Sequence, residues 1–172
     1  MDILAKDKMI VLVMGVSGVG KTTVGRALAQ ATGWEFADAD DFHPEANKAK
    51  MRAGVALDDG DRAPWLAALH AAIVDWVAGE RNVVLACSAL KEEYRRQLLI
   101  GPEVRLVFLD APFAVIARRM AERHGHFMNP GLLEDQFATL EAPREAISID
   151  ATLAVPAIVG AIRGALGGLA SA

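Results

Sequence analysis

A single cysteine, Cys87, occurs in 172 residues, so the chain has no internal disulfide framework and no zinc site built from several thiolates. A reducing, cytoplasmic setting is the expectation. Long apolar runs are also missing. The most hydrophobic stretch near the start, 9–16, is too short to span a bilayer and passes into glycines and a lysine, not a signal cleavage site. No membrane partner is therefore expected. Positive charge is not in excess: 18 Lys+Arg against 22 Asp+Glu leave a formal net charge of -4, the wrong sign for gripping a polyphosphate backbone over a broad face. Nucleic acid is not an expected partner. Prolines number only 7, whereas hydrophobic residues reach 53%, enough apolar surface to offset the entropy of ordering. A chain of this length buries roughly two-thirds of its unfolded surface in one unit, so a single domain, 1–172, is predicted, with residues 1–8 as a frayed lead-in.

Short β-branched runs alternate with longer helical patterns. The runs lie at 9–14, 82–86, 104–109 and 147–149, with a shorter one at 35–38. Continuous apolar strands of this kind belong in a sheet covered on both faces. Helical periodicity marks 21–31, 64–78, 91–99, 114–122 and 156–169, with Gly33, Gly79 and Gly101 closing three of these segments. Alternation of strand and helix predicts an α/β fold of three layers, a central parallel sheet flanked by helices. Two stretches break the rhythm: 40–61, crowded with charge, and 124–131, punctuated by glycine and proline. Loops in such sheets carry function.

Gly15-Val16-Ser17-Gly18-Val19-Gly20-Lys21-Thr22 matches GxxxxGK(S/T) and sits directly after a buried strand and directly before a helix, as its chemistry requires. Its glycines let the backbone wrap a phosphate chain with N–H groups turned inward, while the positive end of the following helix faces the anion. Lys21 would meet β- and γ-phosphates. Thr22 offers a hydroxyl to Mg2+, an ion that prefers hard oxygen ligands and keeps several waters. Nucleoside triphosphate binding follows.

The motif alone leaves switch, motor and kinase open. A GTPase needs a base-reading Asn-Lys-x-Asp late in the chain, but the sole Asn-Lys is Asn47-Lys48-Ala49-Lys50, too early and lacking the acid. Asp110 ends an apolar strand like the magnesium-holding acid of large ATPases. The Ala111-Pro112 after it reads as a helix start, where an acid equally serves capping. Asp38 and Asp40 form a better pair. Period-2 alternation from strand 35–38 would turn both towards the phosphate end of the sheet, Asp38 to Mg2+ through water and Asp40 to an acceptor hydroxyl. Phosphoryl transfer is mostly positioning and charge neutralisation, and an acid beside the attacking hydroxyl orients it and takes its proton. The alternative for this stretch is a solvated acidic turn.

Several further segments carry a resemblance: Asp38-Ala39-Asp40-Asp41-Phe42-His43-Pro44, Lys50-Met51, Gly54, Leu57 to Leu66, Cys87 to Arg95, His126-Phe127, and Gln136 with Leu140-Glu141. In this order and spacing the chain, from about residue 9 to 143, resembles the gluconate kinase family. The resemblance implies an ATP- and Mg2+-dependent kinase that phosphorylates D-gluconate at the 6-hydroxyl. The fold it implies is that of nucleoside-monophosphate and shikimate kinases, with a lid at about 124–141 and a substrate segment at about 40–66. It also implies a homodimer, although no apolar seam marks one. A kinase for another hydroxy acid such as shikimate, and a non-catalytic nucleotide-binding module, remain alternatives.

Under this resemblance the catalytic set is Lys21, Asp40, Arg119 and Arg123, the last two as cations delivered by a closing lid that excludes water. The nucleotide cradle is Gly15, Val16, Ser17, Gly18, Val19, Gly20, Lys21 and Thr22, with Thr22 and Asp38 towards the metal. Acceptor binding falls to Asp40, His43, Arg62, Lys91 and Arg95, since a guanidinium can grip the gluconate carboxylate with two parallel hydrogen bonds. The cations have a plainer reading: Arg62 paired with Asp58 or Asp59, and Lys91, Arg95 and Arg96 as one solvated helix face. Trp65, Leu66 and Leu69 read as core, and Cys87 as packing at a strand end. His126 would order the lid.

Overall fold

The computed structural model describes residues 8–123 and 130–170. Five strands, β1 (Ile10–Met14), β2 (Glu35–Asp38), β3 (Val83–Ala86), β4 (Val104–Asp110) and β5 (Ile147–Asp150), form one parallel sheet in the order β2-β3-β1-β4-β5. β1 is fully buried between β3 and β4, which explains why its sequence is apolar at every position. Side-chain alternation still sorts the two faces. Val11, Val13, Val84, Val107 and Leu109 pack on one side with helices α1 (Lys21–Thr32), α5 (Phe113–Glu122) and α7 (Val155–Ala170), through Leu28, Ile116, Ile162 and Leu166. Ile10, Leu12, Met14, Leu85 and Phe108 face α3 (Asp59–Ala78) and α4 (Glu92–Leu98), through Trp65, Leu69, Ile73, Tyr94 and Leu98. The result is the three-layer arrangement expected from the alternating pattern.

The predicted helices are present, with differences at their ends. Periodicity and Pro64 suggest a start at residue 64, whereas α3 begins at Asp59, because Asp58 accepts from the Asp61 N–H at 2.7 Å while Asp61 accepts from the Asp58 N–H at 3.1 Å. That reciprocal capping box outweighs the proline signal, and Pro64 sits inside the helix. The charged stretch 40–61 is not loop throughout. A 3-10 turn spans Ala39–Phe42 and α2 covers Glu45–Arg52. A further helix, α6 (Pro130–Thr139), follows the glycine- and proline-rich segment. Residues 1–7, 171–172 and 124–129, the last with His124 and His126 from the segment expected to form a lid, lie outside the described residues.

From β1 the chain crosses through α1 over one face, and from β3 through α4 over the other. Between the carboxyl ends of these neighbours a crevice must open, which is where ligands of open parallel sheets bind.

Candidate functional site

That crevice is a cavity of about 750 Å³. Its floor is Ala86 at the end of β3 with Cys87 and Ser88 beyond it. One wall is the loop between β1 and α1, the other is Asp38 at the end of β2 and Asp40 beyond it with His43, Arg62 and Trp65, and Arg123, Leu132 and Gln136 stand at the rim.

The loop wall is built from backbone. Gly20 caps α1 in the left-handed region, φ 108°, with no side-chain cap, and the first turn of α1 has no acidic residue. The helix amides thus stay open to an anion. A Cβ on Gly15 would lie 2.9 Å from the Leu109 carbonyl oxygen, so the bend passes too close to β4 for a larger residue. Lys21 Nζ donates to the Val16 carbonyl at 3.0 Å, held inside the bend. Burial lowers its pKa, opposed by charge on Cys87, Asp40 and Asp38. Ser17 is held by Gln136 at two points: its N–H donates to Gln136 Oε1 at 2.6 Å, and Gln136 Nε2 donates to Ser17 Oγ at 2.8 Å.

Thr22 Oγ1 donates to Asp38 Oδ2 at 3.1 Å. A hydroxyl beside a carboxylate is a hard-oxygen pair of the kind Mg2+ takes. No cluster of three or more His, Cys, Asp or Glu side chains suited to a metal occurs among the described residues. The pair fits an ion whose remaining ligands are phosphate oxygens and water.

Asp40 reaches this wall by a different route from the strand alternation expected of it. β2 ends at Asp38, and the 3-10 turn then carries Asp40, whose N–H donates to Asp38 Oδ1 at 3.0 Å. The flanking walls push the Asp40 carboxyl above its usual range. Asp38 adds to this, Lys21 opposes it, and Asp41 adds a little more. The turn itself is fastened by Trp65, whose Nε1–H donates to the Ala39 carbonyl at 2.7 Å. Trp65 is thus core and cavity wall together, and the His43 ring stacks on it with centroids 4.6 Å apart and planes 9° apart.

Arg62 lines the cavity, and its Nη1 donates to Tyr94 Oη at 3.2 Å. Tyr94 in turn donates to Asp59 Oδ1 at 2.5 Å. Arg62 therefore does not pair directly with Asp58 or Asp59 through its side chain. Lys91 and Arg95, expected at the acceptor, are engaged elsewhere and do not line the cavity. Lys91 Nζ donates to Asp59 Oδ1 at 3.1 Å. Arg95 is buried and donates to the carbonyls of Ala89, Leu90 and Glu141 at 2.8, 3.1 and 2.7 Å. It braces the turn after β3, where Ala89 adopts φ 44°, an unfavourable backbone state for alanine. Arg96 pairs with Glu92 on an exposed helix face.

Arg123 stands at the rim, whereas Arg119, one turn back on α5, is near Asp150 and off the cavity wall. Asp110 is exposed at the end of β4 and does not line the cavity. The Cys87 thiol, buried in the floor, is pushed up to about 12 by burial and is no nucleophile.

Sequence reasoning missed Asn47, Tyr94 and the Ser17–Gln136 link. Gln136 stood among the family-like segments without a task, and Asn47 gave no signal, since a polar residue on a short charged helix reads as solvated. It is in fact 3% exposed.

This arrangement can hold a triphosphate against one wall and a polar, anionic acceptor against the other. Comparison with known proteins points the same way. The family described as shikimate kinase aligns with residues 17–149. The chain is 43% identical to the "Probable gluconokinase" of Mus musculus, over 91% of this chain and 97% of that one. It is 48% identical to the "Gluconokinase" of Gluconobacter oxydans, over 77% and 75%. A crystal structure of a gluconokinase from Sinorhizobium meliloti superposes with a TM-score of 0.86 at 40% identity, covering 95% of this chain and 94% of that one. The shikimate kinase of Aquifex aeolicus, at 20% identity and a TM-score of 0.60, shares the fold.

Proposed function

The chain belongs to the shikimate kinase family and, within it, to the gluconokinases, and from this premise we propose that it transfers the ATP γ-phosphoryl group to the 6-hydroxyl of D-gluconate. It is an ATP-dependent kinase acting on a hydroxyl group. The observation that carries the substrate reading is the single cavity in which Lys21 and the Thr22–Asp38 pair face Asp40 and Arg62.

Asp40 orients the acceptor hydroxyl and takes its proton as the oxygen bonds to phosphorus and the bond to the ADP oxygen breaks. Its raised pKa makes it a stronger proton acceptor than an ordinary aspartate. Arg62 grips the substrate carboxylate, held in place by Tyr94, and His43 meets an acceptor oxygen. Lys21 moves from the Val16 carbonyl to the phosphates, while Arg123, with Arg119 behind it, offsets charge on the transferred group. Thr22 and Asp38 hold Mg2+, which when bound neutralises phosphate oxygens. Lys91 and Arg95 have no part in this reading, because Asp59 and main-chain carbonyls already occupy them. A cytosolic location, where ATP is abundant, goes with it. Among the described residues no helix is long and apolar enough to cross a membrane.

An ADP-release assay over a panel of sugar acids and shikimate tests the proposal. Turnover with gluconate well above every other acceptor is expected. Preference for shikimate or another acid would reassign the acceptor, and ATP binding without acceptor-dependent turnover would leave only a nucleotide-binding module.

A further inference from the structure

Asn47 is buried on α2 and touches two partners through one atom. Its Nδ2 lies 2.7 Å from the Asp61 carbonyl oxygen and 3.1 Å from His43 Nδ1. A main-chain carbonyl only accepts, so the group beside it must be the NH2, and the amide orientation is settled by chemistry. One amide hydrogen goes to that carbonyl and the other to His43. His43 Nδ1 must therefore present a lone pair, which puts the ring proton on Nε2, the one nitrogen left for a ligand on a residue that lines the cavity.

We propose that Asn47 is a positioning residue that locks His43 in the Nε2–H tautomer, so that the imidazole meets the sugar acid as a hydrogen-bond donor and never as a competing base. The chain of constraint runs from a carbonyl on α3, through an amide on α2, to a ring clamped flat against Trp65. Burial, Arg62 and Lys48 all hold His43 below its ordinary pKa, consistent with a neutral ring. These two cations, from α3 and α2, are the charged side chains acting on it. Asp40 and Asp61 meet the His43–Asn47 pair through main-chain carbonyls, the former accepting from the His43 N–H at 3.4 Å. The consequence is a division of labour: Asp40 alone accepts the proton, and His43 selects for an oxygen that can receive a hydrogen bond. This inference rests on the acceptor side proposed above.

The tautomer can be read without substrate. In 15N-labelled full-length protein, long-range proton–nitrogen spectra assigned with His43→Gln should show His43 with a bare Nδ1 and a protonated Nε2 at neutral pH. In Asn47→Asp the carboxylate can only accept, so the ring proton sits on Nδ1: Nε2 is bare in the neutral ring at higher pH and carries a hydrogen again once lower pH converts the ring to imidazolium. KM for gluconate should then exceed wild type about tenfold at the higher pH and approach it at the lower, with KM for ATP unmoved. A proton on Nδ1 in the wild-type spectrum overturns the proposal, and that result needs no variant to fold. So does a KM penalty in Asn47→Asp that is the same at both pH values. Should gluconate prove not to be the acceptor, the missing turnover reveals it while the wild-type spectrum still decides the tautomer.

Discussion

The two walls of the cavity are made differently. The wall proposed for the nucleotide is mostly main chain, a glycine bend and an uncapped helix end, with one lysine held inside the bend. The acceptor wall is side chain upon side chain, with Trp65 fastening the turn that carries Asp40, Tyr94 holding Arg62, and Asn47 holding His43. Backbone cradles recognise a group common to every triphosphate, whereas relays of side chains can be shaped to one acceptor. The contrast predicts that damage to one wall stays on that wall.

The largest effect should come from Lys21→Ala, with kcat down about a thousandfold or more and the acceptor KM little changed. Single-turnover assays against both substrates would check this, and near-normal turnover would remove the lysine from the chemistry. Next, Asp40→Asn should lower kcat about a few hundredfold while ATP affinity measured by calorimetry holds. The pH profile sharpens the same point. As the proposed base Asp40 works ionised, and its carboxyl is held above the usual aspartate range, so kcat should fall as pH drops through that raised value. An acid limb at the ordinary carboxylate position would reassign the base. Arg62→Ala should raise KM for gluconate about ten- to a hundredfold through loss of a charge-assisted contact, with KM for ATP unchanged. An effect confined to ATP would break the division between walls. Smallest is Trp65→Phe, which keeps an aromatic ring for His43 to stack on but leaves the Ala39 carbonyl without its donor. A stability loss of about 1–3 kcal/mol in urea unfolding is expected, with a few-fold rise in the gluconate KM.

The same contrast explains what could be read from the sequence. The sheet, its parallel order of strand and helix, and the nucleotide wall follow from local patterns: apolar runs, glycines at set spacing, a lysine and a threonine at the helix start. Asp38 and Asp40 do come together at the cavity, but a 3-10 turn and not strand alternation carries the second of them. α2 was invisible because its one buried side chain is Asn47, and no hydrophobic period marks it. Lys91 and Arg95 looked like ligands because sequence reports charge and not direction. Arg95 points at three carbonyls, and only the tertiary fold brings the segment around Glu141 to it.

Asp61 serves three neighbours at once: it closes the capping box with Asp58, receives Lys50 on its carboxylate at 2.9 Å, and offers its carbonyl to Asn47. Replacing Asp61 would remove or disturb all three contacts at once. An engineer seeking a new acceptor should therefore expect strong epistasis across 43–62 and would do better to transplant that stretch whole from another kinase than to walk through it one codon at a time.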